Sequence, residues 1–335
     1  MKMKRALLIG SLIVLFIVCY LEMNKHFDPL GRYKYADESN HDLILEYLNS
    51  DDINYLIDRQ LEPEVFLPFL GIEGFSIRQA QTYYEVKEAS MKPLWDIVYY
   101  VNTLADAGVD RSLIVELSDE YHLSMIEEFY SQMDEFAQGA QLMKSPSDYS
   151  QLIQENETLY RYEPLALAEV ELPHVNAYFD HQDILLEEEV NQQLNELCSD
   201  LTRASGTTCG NLIVVGGYLS YYDQIELYEE RLLEVGQDLL DQKAYLPGRM
   251  ENQRGNIVEL NLAKIQETDE GEADDEDKNR FDIFAWLNQH IGDYGFVWYQ
   301  DKIDHNDKRI QLRYVNAENV DQNLGVKWED LKWRS

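Results

Sequence analysis

The sequence predicts an α+β protein: a helical N-terminal region, then a domain with a small antiparallel sheet flanked by helices. Two patterns carry that expectation. From His41 to about Lys144, apolar residues recur at helical spacing. After Leu152, short runs rich in β-branched and aromatic residues alternate with helical stretches, a mixture that packs helices on a modest sheet. A length of 335 residues suggests about two domains, and 45% hydrophobic content is enough to bury their cores.

In chain order, Leu43, Ile44, Tyr47 and Leu48 mark the first helix, and Asp51 and Asp52 read as a cap before Ile53, Leu56 and Ile57. Further helices are expected over Pro63–Leu70, Ile77–Lys87, Leu94–Leu104 and Ser118–Ala140, with a short turn starting at Asp110 or Ser112. The Pro/Ser segment Lys144–Asp148 is the best boundary, giving regions 1–27, 28–148 and 149–335. Beyond it come a long helix from Gln182 to about Ala204, a strand over Asn211–Val215 and another over Ile257–Leu262. A helix over Phe281–Ile291 and strands over Tyr294–Tyr299 and Ile310–Val315 follow. The acidic loop Glu267–Asp277 reads as a solvated insertion, because it lacks the spaced aspartates of a calcium loop.

A net charge of −35 argues against a nucleic-acid partner, since phosphate binding needs clustered Lys and Arg. Lys2, Lys4 and Arg5 precede an apolar run from Ala6 to Leu21, the layout of a signal peptide or signal anchor. That run is about 16 residues, short of the roughly 20 that span a bilayer. Glu22, Met23, Asn24 and Lys25 offer no small-x-small cleavage site. The expectation is an uncleaved single-pass membrane anchor with the C-terminal domain extracellular; a cleaved signal peptide is the alternative. Val18 before Cys19 argues against a lipoprotein. Cys198 and Cys209 lie 11 positions apart in the exported part, where oxidising surroundings permit a disulfide; two reduced core cysteines remain the other reading.

Three segments of the C-terminal half stand out. They are G-G-Y-L-S-Y-Y-D-Q (Gly216–Gln224), P-G-R-M-E-N-Q-R-G-N-I-V-E-L (Pro247–Leu260) and K-R-I-Q-L-R-Y-V (Lys308–Val315). In that order they resemble the VanY-like D-alanyl-D-alanine carboxypeptidases, zinc enzymes that trim peptidoglycan stem peptides. Members of that family read S-G-Y-R-S-Y-x-x-Q, P-G-x-S-E-H-Q-x-G-x-A-x-D and E-P-W-H-x-R-Y-V. The resemblance spans about residues 150–316 and implies a VanY/hedgehog-type domain.

The same resemblance implies a loss of chemistry. The family's zinc histidines fall on Asn252 and Gln311, its zinc aspartate on Glu259, its general-base glutamate on Lys308 and the arginine of the first block on Leu219. A catalytic zinc site needs three protein ligands and an open position, and imidazole suits zinc far better than amide oxygen. A lysine is already protonated near neutral pH and makes a poor base. No metal or other cofactor is therefore expected. Lys308 is expected to pair with Glu259 in the vacated pocket, because a carboxylate left without its cation is poorly compensated; both side chains pointing to solvent is the alternative. A shifted zinc site using His305 and Glu259 and an oxygen-only calcium site of Asn252, Glu259 and Gln311 are the metal-binding alternatives; otherwise His305, and His174 and His181 at the domain entry, are solvated loop histidines. Tyr218, Tyr221, Gln224, Gln253 and Arg313 are expected to line a retained binding groove. The reading is a membrane-anchored, carboxypeptidase-like pseudoenzyme that binds a peptidoglycan stem peptide or a cell-envelope protein without hydrolysis. A working carboxypeptidase with a remodelled metal site and a structural envelope scaffold are its rivals.

Overall fold

The computed structural model describes residues 10, 12–19, 28–90, 92–235, 246–262, 281–299 and 309–321. The chain divides into two compact units, 1–130 and 131–335. The division falls ahead of the Pro/Ser segment, because residues 131–148 are built into the second unit. Gln141–Leu142 pairs in parallel with Glu157–Thr158, and Asp134 receives the hydroxyl of Tyr221.

In the first unit the described elements are helical. They are α1 (His41–Tyr47), α2 (Ser50–Arg59), α3 (Pro63–Phe66), α4 (Ala80–Ala89), α5 (Leu94–Asp106), α6 (Arg111–Glu120) and α7 (Leu123–Gln132), whose last turn reaches the division. Asn49, not Asp51 or Asp52, caps α2: its side chain accepts from the N–H groups of both aspartates, which then place negative charge in the first turn. Asp110 caps α6 rather than opening a turn. The single helix expected over Ser118–Ala140 is interrupted at Tyr121, where the backbone is extended. Ile44, Leu56, Phe66 and Ile77 are buried in the core of this unit. Residues 12–19 are helical with their apolar side chains exposed. Most of the expected anchor's flanks lie outside the described residues. Among the described residues no helix is long and apolar enough to cross a membrane.

The second unit is α+β. Short pairings of β1 (Gln141–Leu142) with β2 (Glu157–Thr158) and of β3 (Leu167–Glu169) with β4 (Leu185–Glu187) lead into α8 (Glu188–Ser205). The expected helix start at Gln182 moves to Glu188 because Leu185–Glu187 is drawn into antiparallel pairing with β3. The main sheet comprises β5 (Leu212–Gly216), β6 (Ile257–Leu262), β7 (Phe296–Tyr299) and β8 (Ile310–Tyr314), ordered β5-β6-β8-β7 and antiparallel throughout. The helices α9 (Tyr221–Val235), which the sequence pattern did not announce, and α10 (Ile283–His290) complete it. One face of the sheet, with Val258, Leu260, Ile310, Leu312 and Phe296, packs on Leu194, Leu197 and Leu201 of α8. The acidic loop Glu267–Asp277 lies outside the described residues.

Cys198 of α8 is bonded to Cys209. The bridge closes a loop with a sequence separation of 11, and chain-entropy reasoning gives about 2–3 kcal/mol for a loop of that size. Reduction, or paired Cys→Ser substitution, is expected to lower the urea midpoint accordingly.

Candidate functional site

The register of the sheet gathers one row of residues. Gly216 stands opposite Glu259, Glu259 opposite Gln311, and Gln311 opposite Tyr299. Residues directly opposite share a face, so this row lies on the face away from Val258 and Leu260. A register shift between Val214 and Gly216 marks a bulge. It places Gly216, rather than Val215, across from Glu259, as bulges near functional sites re-aim side chains. A Cβ at Gly216 would stand 2.8 Å from Glu259 Oε2 and 2.9 Å from the Tyr178 ring. Only glycine leaves room for both.

The turn Glu251–Arg254 delivers the rest, and all four of its side chains are buried. It ends at Gly255, whose φ of +71° is the left-handed conformation glycine tolerates. Asn252 turns to the sheet. Its Nδ2 donates to Gly217 O at 3.0 Å and to Glu259 Oε1 at 3.1 Å. Gln311 Nε2 approaches the same oxygen at 3.4 Å. The Tyr178 hydroxyl lies 2.7 and 2.8 Å from the two carboxylate oxygens, and Arg309 Nη1 donates to Oε2 at 2.9 Å. A carboxylate offers about four acceptor positions, and four donor groups stand around this one.

Tyr178 reaches the site from a segment that runs beside β5. Val175 and Ala177 donate backbone N–H groups to Val214 and Val215 carbonyls. The Asn176 side chain then accepts from the N–H groups of Tyr178 and Phe179, fixing the turn. The Arg309 guanidinium lies 4.9 Å from the centroid of the Tyr178 ring, within range of a cation–π contact.

This donor set does not fit a zinc ion. Glu259, 1% exposed, is the one carboxylate of the triplet. Both amide groups present N–H to that carboxylate. Turning Asn252 to present its oxygen would set it against Gly217 O and Glu259 Oε1. The oxygen-only calcium alternative meets the same obstacle. Among the described residues no group of three or more His, Cys, Asp or Glu is placed to hold a metal ion. His174 is exposed beside the Leu172 carbonyl, His181 is exposed, and His305 lies outside the described residues. Lys308, and with it the expected pairing to Glu259, lies outside them too; its neighbour Arg309 pairs with Glu259. Leu219 is buried and apolar, its N–H turned to Asn252 O at 3.3 Å.

Of the five residues expected to line a groove, Tyr218 is partly buried and the other four are buried. Gln253 Nε2 donates to the carbonyls of Leu159 and Tyr162, and its Oε1 accepts from Gln224 Nε2. Gln224 Oε1 in turn accepts from Gly248 N. Tyr221 donates to Asp134, and burial followed by that nearby carboxylate pushes its hydroxyl well above the ordinary tyrosine range. Arg313 donates to Tyr149 O at 3.0 Å, and burial lowers its pKa. Burial likewise raises that of Tyr218.

Sequence reasoning missed Tyr178, Arg309 and Arg254 as site-building residues. Arg309 had a signal. It fills the position where the E-P-W-H pattern reads proline, so a new cation two places from Gln311 was visible. Tyr178 sits in a loop with no period and gave none.

A four-stranded antiparallel sheet thus packs on α8 through one face and carries Gly216, Glu259 and Gln311 in a row on the other. Residues 183–316 match the model of the family described as D-alanyl-D-alanine carboxypeptidase, VanY, and form a VanY-type domain. No curated protein matches the chain. Among solved structures it is similar to the LdcB LD-carboxypeptidase, at 19% identity over 60% of this chain and 98% of that one, with a TM-score of 0.42. It is also similar to VanYB in complex with D-alanine-D-alanine, at 21% identity over 52% and 91%, with a TM-score of 0.33. DacB from Streptococcus pneumoniae D39 gives 22% identity over 42% and 74%, with a TM-score of 0.28.

Proposed function

We propose that this chain is a membrane-anchored, extracellular VanY-type pseudoenzyme that engages a peptidoglycan stem peptide or a cell-envelope protein without cleaving it. The observation that carries the reading is the engagement of Glu259. Its two oxygens face Tyr178, Asn252, Gln311 and Arg309, so the carboxylate is a fixed counter-charge rather than a ligand awaiting a metal. Without a bound metal there is no Lewis acid and no water of lowered pKa at this place. Leu219 offers no hydrogen bond to a substrate carboxylate or to a developing oxyanion. The Cys198–Cys209 bridge agrees with export to an oxidising compartment, and the basic flank before the apolar run supplies the anchor.

The inward turn of Tyr221, Gln224, Gln253 and Arg313 favours a second reading, an envelope scaffold with no peptide ligand. One experiment separates the two and also tests the loss of activity. The purified protein is incubated with a stem pentapeptide ending in D-Ala-D-Ala, D-alanine release is followed with and without chelator, and binding is titrated calorimetrically. No release with millimolar-or-tighter binding is expected. Chelator-sensitive release would end the pseudoenzyme reading, and absence of binding would leave the scaffold.

A further inference from the structure

We infer that the Arg309 guanidinium is an internal replacement for the metal ion, a built-in cation that neutralises Glu259 and ties the start of β8 to β6. The inference rests on the non-hydrolytic reading and deepens it, because it says what holds the former metal site together. A single buried carboxylate calls for a single positive charge, and with two neutral amides in place of imidazoles one guanidinium balances the site. Glu259 is 1% exposed and the Arg309 side chain 18%, which sets the pair apart from a solvent-screened surface bridge. Its Nη1 stands 2.9 Å from Oε2, in the range of a charge-assisted bond, and its planar cation lies against the Tyr178 ring, a site better suited to guanidinium than to ammonium.

The other contacts point the same way. Asn252 is held as a donor by Gly217 O, Gln311 approaches as a donor, and the Tyr178 hydroxyl bridges both oxygens. A metal ion at the carboxylate would need acceptor atoms from these groups, whereas an organic cation leaves them free to donate to Glu259. The guanidinium is also a local arrival. In the block K-R-I-Q-L-R-Y-V it occupies the place of an uncharged proline, two positions before Gln311.

The test is thermal unfolding of the full chain at neutral pH, with Arg309→Gly compared to wild type. Wild type is expected to melt at the same temperature with chelator or with equimolar zinc chloride. Arg309→Gly is expected to melt about 10 °C lower, since breaking a buried pair strands its partner. Millimolar methylguanidinium chloride should restore a large part of that loss, and an equal concentration of sodium chloride should not. If Arg309→Gly alone fails to fold, the double variant with Glu259→Gln carries the test: recovery of a folded protein supports the inference. An Arg309→Gly protein that melts like wild type, a loss that methylguanidinium does not reverse beyond salt, or a double variant no better folded than the single one overturns it. D-alanine release is measured separately, so the non-hydrolytic reading and the cation replacement fail on different observations.

Discussion

Arg254→Met is expected to destabilise the second unit by about 4 kcal/mol, the largest effect of any single substitution near the site. Arg254 is fully buried, and its guanidinium organises a loop more than a hundred positions away in sequence. Nε donates to Pro146 O at 2.6 Å, Nη1 to Gln151 O at 2.6 Å and to Glu251 Oε2 at 3.0 Å, and Nη2 to Asp148 O at 2.5 Å. Its cation lies 5.1 Å from the Tyr149 ring. Methionine fills similar volume but removes every donor, leaving buried Glu251 with the Ile153 N–H at 2.7 Å as its remaining hydrogen bond among the described residues. Lysine would fare little better, because one ammonium cannot serve a fork of carbonyls on three sides. Urea unfolding should register the loss, and faster amide exchange over residues 146–153 should localise it. An effect below about 1 kcal/mol would show that the loop is held by its own turns and not by Arg254.

That clamp also explains how much of the molecule was legible beforehand. The strands Ile257–Leu262 and Ile310–Tyr314 were readable because each is a short apolar-rich run of strand length. The motif blocks put Asn252, Glu259 and Gln311 in one site; in the fold Glu259 stands opposite Gln311 and accepts from Asn252. Three things were not readable. The direction a motif side chain faces depends on its turn: within Glu251–Arg254, Asn252 meets the sheet while Gln253 and Arg254 turn to loops from elsewhere in the chain. The start of α8 depended on a partner strand, since Leu185–Glu187 would continue the helical pattern but for β3. The division of the chain depended on long-range ties from Asp134 and residues 146–151, which no Pro/Ser signal records.

Gln253→Leu is expected to cost about 3 kcal/mol of stability, and the way it does so separates a framework residue from a ligand contact. Gln253 has no exposed surface. Leucine matches its bulk but abandons the Leu159 and Tyr162 carbonyls and the Gln224 amide. Leu159 O keeps the Tyr162 N–H, and Gln224 Nε2 keeps Leu219 O at 3.1 Å, so the cost falls mainly on Tyr162 O and on the lost bonds themselves. Gln224→Leu should cost a similar amount by stranding Gly248 N and Gln253 Oε1. Because the two amides are bonded to each other at 3.0 Å, the double variant should lose about 1 kcal/mol less than the sum of the singles. A Gln253→Leu protein as stable as wild type but weaker toward a stem peptide would return Gln253 to the groove. Loss of stability with coupling to Gln224 instead means that the retained motif glutamines hold the Pro247-Gly248 turn against the Leu219 turn, and that any ligand of this domain is met by Tyr218 and whatever surface surrounds it rather than by the amides the motif preserves.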